Sequence, residues 1–299
     1  MNNIITHLIY YSGIFYFFKR FVFKKNVSIV LYHDPKPKIL EKHVKFLSRH
    51  YNFISMDLLV EGIQNKNWSK IPNNSLVFTF DDGHITNYDL KDIFIKYKIT
   101  PTIYCCSEII NSNRHFWWKN LNPSEVERLK KMSNKKRLKE LKIKYNFTND
   151  KCFNDAQALS KNDLSALSKI ANIGSHSKYH PILTTCNSKE MFDEISNSKI
   201  SIERLTNYKC DHFCYPNGDY NNEVVEIVKQ SGYKSARTID VGWNNVRTDP
   251  FKLKISGISD DSSLPKLVAQ LTGITMYLRY LFKGGSFSGL YKSIIPRNK

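Results

Sequence analysis

The sequence predicts a single α/β domain in which parallel strands are covered by helices. Two observations point there. Short β-branched and aromatic runs alternate with helical patterns from residue 27 to residue 256, and several of these runs end directly in polar residues of catalytic type. A third observation makes it feasible: 41% of the 299 residues are hydrophobic and 13% aromatic, enough for one sizeable core. Alternation alone leaves two architectures open, a closed barrel and an open doubly wound sheet.

The chain starts with a stretch rich in Ile, Phe and Tyr at residues 4–23, interrupted by Lys19 and Arg20. Its uninterrupted apolar part, residues 8–18, is too short to span a hydrocarbon core about 30 Å thick. No basic segment precedes it and no small-residue cleavage site follows it, which argues against a cleaved signal peptide. Residues 1–25 are therefore expected to form a membrane-interface helix, with Lys19, Arg20, Lys24 and Lys25 meeting anionic lipid. An ordinary amphipathic helix packed on the core is the competing reading.

Strands are expected at residues 27–32, 76–80, 102–106, 170–175, 212–215, 234–238 and 252–256. Helices are expected at 39–51, 87–97, 160–169, 188–206 and 222–230; Met191, Ile195 and Ile202 form one stripe, and Asn221 or Asn222 can cap the last helix. Residues 111–150 break the rhythm. They open with Phe116, Trp117 and Trp118 and then carry nine Lys or Arg and one Glu between Arg128 and Lys144, as a helical insertion that is either a solvated arm or a docking surface. Residues 261–299 read as an amphipathic tail, in which Met276, Tyr277, Leu278, Tyr280, Leu281 and Phe282 mix with Arg279 and Lys283.

The 45 Lys and Arg against 27 Asp and Glu give a formal charge of +18, which favours polyanionic partners such as lipid headgroups or phosphorylated sugar carriers. Nothing beyond net charge suggests nucleic acid, and none is expected as a partner. The six cysteines form no C-x-x-C pair and suit reduced thiols in a cytosolic protein, with disulfides in an exported one left open.

Four strand candidates run into chemistry-bearing residues: His33-Asp34, Asp81-Asp82-Gly83, His176 with His180-Pro181, and Pro216-Asn217-Gly218. Carboxyl ends of parallel strands form the active-site face in α/β folds. Each motif alone is weak. Asp-Asp-Gly and Tyr-Pro-Asn-Gly are good turn sequences, and an isolated His-x-x-x-His is as readily surface as ligand.

Together, and in this order, they resemble the motifs of the polysaccharide deacetylase family, the carbohydrate esterases with a NodB-like domain. Thr79-Phe80-Asp81-Asp82-Gly83 is similar to the first motif. His176-Ser177-Lys178-Tyr179-His180-Pro181 is similar to the second, and Phe213-Cys214-Tyr215-Pro216-Asn217-Gly218 to the third. The resemblance covers residues 28–257. It implies a distorted (β/α) barrel of about seven parallel strands, with amphipathic terminal helices around a catalytic domain at residues 26–260.

It also implies roles: Asp82, His176 and His180 as ligands of a divalent metal, zinc fitting two imidazoles and a carboxylate best, and Asp81 as catalytic base. Tyr215, Pro216 and Asn217 would line the substrate and oxyanion side. Trp243 would be a groove wall, Asp240 a partner surviving from a degraded fourth motif, and His84 a rim residue rather than a fourth ligand. The third motif lacks the Arg seen in many members, and Gly257 stands where the fifth motif has its acid histidine. One circularly permuted branch, resembling poly-N-acetylglucosamine deacetylases, takes that histidine from an N-terminal strand, which makes His33 the expected general acid.

The implied activity is metal-dependent N-deacetylation of an N-acetylhexosamine in a bacterial surface polysaccharide or its lipid-linked precursor. The expected location is peripheral, on the cytoplasmic side of the inner membrane, with an extracytoplasmic site left open. The competing functions are a peptidoglycan or chitin deacetylase outside the cytoplasm and a catalytically inert carbohydrate-binding protein.

Overall fold

The computed structural model describes residues 3–258 and 260–274. Two short helices come first, α1 (Asn3–Tyr11) and α2 (Ile14–Phe21), and Gly13, in left-handed backbone (φ 74°), breaks what the sequence suggested was one helix. The chain continues through β1 (Val27–Tyr32), α3 (Pro37–Leu47), β2 (Asn52–Phe53), α4 (Met56–Gln64), β3 (Ser75–Phe80), α5 (Lys91–Lys96) and β4 (Thr102–Cys105). Helices α6 (Pro123–Lys130) and α7 (Asn134–Tyr145) follow, then α8 (Lys161–Leu167), β5 (Asn172–Ser175), α9 (Ser188–Phe192) and α10 (Ser198–Thr206). Last come β6 (His212–Cys214), α11 (Asn222–Gln230), β7 (Ser235–Val241), β8 (Leu253–Ile255), β9 (Gly257–Ile258) and α12 (Leu264–Leu271).

All strand pairs are parallel, in the order β8-β7-β6-β5-β4-β3-β1-β9, with β2 beside β3. Strands β8 and β9 are one strand broken at Ser256. The first half pairs with β7 and the second with β1, and the Ser256 N–H donates to Ile29 O at 2.7 Å. That break joins the two ends of the sheet, giving a nearly closed barrel of seven strand positions. The open-sheet alternative is thereby excluded.

Every residue of β1 and β3 is buried, as strands covered on both faces must be. Their alternate side chains serve two cores. Val30, Tyr32, Phe78 and Phe80 pack outward with helix residues such as Leu40 and Val44 of α3. Val27, Ile29, Leu31 and Val77 pack inward with Leu253, Ile255 and the Met56, Leu59 and Val60 side chains of α4. Helix α4 plugs the N-terminal end of the barrel: the Asp57 carboxylate pairs with His212 Nε2 (2.9 Å) and accepts from Asn172 Nδ2 (2.8 Å), at the starts of β6 and β5. With that end plugged, chemistry is confined to the opposite mouth.

The insertion is a folded subdomain rather than a solvated arm. Trp117, Leu129, Leu141 and Phe147 form its own small core, and Arg137 is buried with its guanidinium 5.3 Å from the Trp117 ring centre. Its remaining lysines point outward. Of the expected C-terminal tail, residues 275–299, which hold the Met276–Lys283 pattern, lie outside the described residues.

Gly174 is the tightest of the glycines lying within a strand. A Cβ there would lie 2.6 Å from the Tyr104 ring and 2.8 Å from His212 O. Gly174→Ala is expected to destabilise the fold by about 1–3 kcal/mol through overpacking, read as a lower urea midpoint at unchanged slope.

Candidate active site

Strand parity builds the site. Ile29 and Leu31 face the barrel interior, so His33, next in the alternation, emerges at the mouth; Val77 and Thr79 do the same for Asp81. Asp82 follows in left-handed backbone (φ 70°) and turns its carboxylate back towards β5. His176 and His180 meet it there: their Nε2 atoms lie 3.6 and 3.7 Å from Asp82 Oδ1. The ligand atoms of these three residues all lie within 4.8 Å of one another, close enough to share one cation.

The donor set fits a divalent metal. His176 Nδ1 donates to Cys214 O (2.8 Å), which leaves Nε2 as the lone-pair nitrogen facing Asp82. Burial lowers the His180 pKa to about 3, so its imidazole is neutral at pH 7. Burial works against the Asp82 carboxylate, but the His84 hydrogen bond and the two metal-loop histidines keep it far below the usual range. His84 Nε2 stands 3.3 Å from Asp82 Oδ2, while Oδ1 is buried without a hydrogen-bond partner. A buried carboxylate oxygen facing two imidazole nitrogens, with no donor of its own, suits a cation.

The loop carrying both histidines is strained and clamped. Ser177 (φ 66°) and His180 (φ 56°) occupy left-handed backbone, at a cost of about 1–3 kcal/mol each. Glu194, in a single π-turn (Asp193–Asn197), accepts from the N–H groups of Lys178 (2.8 Å) and Tyr179 (3.0 Å). Ser177 Oγ accepts from the His180 N–H at 3.0 Å, and Ser198 Oγ donates to Ser177 O at 3.0 Å. The insertion closes the clamp: Trp117 Nε1 donates to His180 O at 3.1 Å, and the Trp118 ring packs edge-on against His180, 4.4 Å between centres. Phe116 stacks on Trp118 and touches His84, making an aromatic wall beside the ligands.

Asp81 is held by Arg237, a fully buried β7 residue whose Nη2 bonds both carboxylate oxygens and lies 2.7 Å from Cys214 Sγ. Burial alone would raise the Asp81 pKa; the Arg237 charge overrides it and keeps the group ionised. The arginine absent from the third motif is thus supplied by the next strand, and Asp240 is not the partner. Asp240 instead accepts from Tyr220 Oη at 2.7 Å near the surface.

His33 has a partner that sequence reasoning missed. Asp260, two residues past β9, lies 3.2 Å from His33 Nδ1 through Oδ2 and accepts from the His33 backbone N–H at 2.6 Å through Oδ1. Burial lowers the His33 pKa, but the Asp260 hydrogen bond and the charges of Asp81 and Asp82 outweigh it and raise it to about 9. The Asp260 segment is anchored in turn. His43, kept neutral mainly by burial, donates from Nε2 to Ser262 O (2.7 Å) and accepts from the Tyr32 hydroxyl (3.2 Å).

The remaining expected residues divide. Asn217 sits in left-handed backbone (φ 59°) in the turn after β6, with Pro216 buried beside it. The Tyr215 side chain is committed to structure: it is fully buried, and its hydroxyl donates to Phe251 O at 3.0 Å. Trp243 does not reach the site. Its ring packs against Phe18 (6.3 Å) and Phe23 (5.9 Å) under the N-terminal helices, so the aromatic wall comes from the insertion instead.

Fold and site together define a barrel deacetylase, and the chain belongs to the polysaccharide deacetylase family, whose model matches residues 69–236. Members of this family are metal-dependent hydrolases of carbon–nitrogen bonds other than peptide bonds. The fold is similar to that of a Streptococcus pyogenes deacetylase, PplD, solved with acetate: 16% identity, TM-score 0.61, covering 82% of this chain and 98% of that one. A de-N-acetylase from Aggregatibacter actinomycetemcomitans gives 17% identity and TM-score 0.60, covering 82% and 100%. IcaB from Ammonifex degensii gives 12% and 0.60, covering 83% and 97%. Comparison with curated proteins finds no match.

Two outcomes follow from the site's supports. Asp260→Asn weakens the hydrogen bond that does most to hold His33 protonated and removes one of the three carboxylate charges that add to it. The acid form, present below about pH 9 in the parent, is then lost at lower pH, and the alkaline limb of kcat/KM moves down by about one unit or more. Trp117→Phe keeps an aromatic ring but deletes the donor to His180 O; affinity for a divalent metal, measured by competition with a chromogenic chelator, is expected to fall about tenfold.

Proposed function

We propose that this chain is a zinc-dependent N-deacetylase acting on an N-acetylhexosamine of a bacterial surface polysaccharide or its lipid-linked precursor. The observation that carries this reading is the unpartnered Asp82 oxygen facing His176 and His180, beside an Asp81 held ionised by Arg237. Asp82, His176 and His180 would hold the ion, which would supply Lewis acidity towards the acetyl carbonyl and lower the pKa of water at the site.

The chain's own groups divide the proton work. Asp81, ionised and fixed, accepts the proton of the attacking water. The Asn217 N–H donates to the oxygen that gains negative charge as the acetyl carbon becomes tetrahedral. The His33 imidazolium then gives its Nε2 proton to the amine nitrogen as the C–N bond breaks, releasing acetate and free amino sugar. Asp260, by accepting from Nδ1, holds the other ring proton in place, so the Nε2 proton is the one given. The His33–Asp260 pair supports an active enzyme over an inert sugar-binding relative, since it fills the role that Gly257 leaves open.

A peripheral site on the cytoplasmic leaflet suits the basic N-terminal helices and the six free cysteines. An enzyme working outside the cytoplasm is the alternative that protease protection of the chain in intact cells would reveal.

Purified protein is expected to carry one zinc per chain, lost in His176→Ala, and to release acetate from lipid-linked GlcNAc faster than from soluble chito-oligomers. Unchanged metal content in the variant, or sugar binding without stoichiometric metal, would defeat the hydrolase reading. A clear preference for the soluble oligomer would remove the lipid-linked substrate.

A further inference from the structure

The N-terminal helices are apolar on both faces. On α1, Thr6 and Ile9 are buried, and the helix packs on α12, while Leu8 (65% exposed) and Tyr11 (78%) point outward. On α2, Phe15 is buried and Phe18 packs beneath it with Phe23, while Tyr16, Phe17 (57%) and Phe21 (65%) face solvent. Phe17 and Phe21, one turn apart, pack with tilted rings 4.9 Å between centres, and Arg20 lies over the Phe21 ring at 5.8 Å. These five large apolar side chains are exposed within 14 residues of chain; Tyr16 is edged by His50 and Tyr11 by Tyr10, while Leu8, Phe17 and Phe21 carry most of the open apolar surface.

Charge identifies what covers it. Residues 1–33 contain no Asp or Glu, and Arg20, Lys24 and Lys25 are exposed beside the aromatic pairs. A second copy meeting this face about a two-fold axis would set like charges against each other. Aromatic rings interleaved with basic side chains match the headgroup layer of an anionic bilayer, where rings sink to the acyl boundary and cations stay with phosphate. Among the described residues no helix is long and apolar enough to cross a membrane, so this layer would lie on one.

We infer that the exposed face of α1 and α2 is the surface by which the protein docks on anionic lipid. This deepens the functional reading above, on which it depends only for what the docked enzyme acts upon. Helix α12, on which α1 rests, begins four residues after Asp260, so the docking layer and the partner of the acid histidine belong to one packed unit.

Flotation of the full chain with two vesicle types tests it: phosphatidylcholine alone, and equal parts phosphatidylcholine and phosphatidylglycerol. Binding is expected to the anionic vesicles, to weaken with salt, and to fall at least about tenfold in Phe17→Ser/Phe21→Ser and in Lys24→Glu/Lys25→Glu. Both variants alter exposed positions and should keep the parent's melting temperature and its activity on soluble oligomers. Undiminished vesicle binding by either variant, or none by the parent, would overturn the assignment. So would a dimer, seen by sedimentation, that dissociates in the serine variant. Flotation needs no substrate, so a chain that floats but releases no acetate would fail as a deacetylase and keep this surface.

Discussion

Two adjacent carboxylates buried at the end of one strand govern this molecule. Asp81 and Asp82 are only 5% and 6% exposed, and a buried charge without compensation costs several kcal/mol. Each is compensated differently. Asp81 is neutralised by an arginine reaching across the barrel from β7, so it stays ionised and needs no cation of its own. Asp82 has one oxygen on His84 and the other facing two imidazole nitrogens with no donor of its own, a setting that suits a cation. Neighbours in sequence thus meet different partners, an arginine for Asp81 and imidazoles for Asp82, because the left-handed turn at Asp82 sends their side chains apart.

Left-handed backbone recurs around the mouth. Asp82, Ser177, His180 and Asn217 all have positive φ, and all follow strand ends. Helix α4 seals the opposite end with ordinary packing and one polar cluster around Asp57. Stability and chemistry are therefore separated along the barrel axis, as in other parallel barrels where the loops after the strands carry function. The insertion adds to this end: Trp117 holds the His180 carbonyl and Trp118 packs on its ring.

Much of this was legible in the sequence. Strand β1 falls at the expected residues, and the other strands lie within a few positions, because buried parallel strands are written as dense β-branched and aromatic runs. The two-residue strands β2 and β9 were not, being too short to show a period. The Asp82, His176 and His180 cluster was readable because each residue follows a strand. Arg237 was not, although a charged residue inside an apolar strand is itself a signal that something buried must pair with it. Asp260 was missed because its strand ends at Gly257–Ile258, and its partner is fixed only by ring closure. Trp243 was misplaced for the converse reason: nothing in its local sequence tells that residues 18 and 23 return to cover it.

The His33–Asp260 contact joins residues 227 positions apart. Asp82, His176 and His180 all precede residue 181, while the groups that hold them reach to Cys214 and the Arg237 clamp of Asp81 lies further on. The acid's partner arrives only near the end, when the last strand closes the ring. A chain shortened before Asp260 would keep the Asp82, His176 and His180 cluster with its clamp, yet leave His33 without the carboxylate that meets its ring, so the two halves of the mouth are completed at different points of the chain.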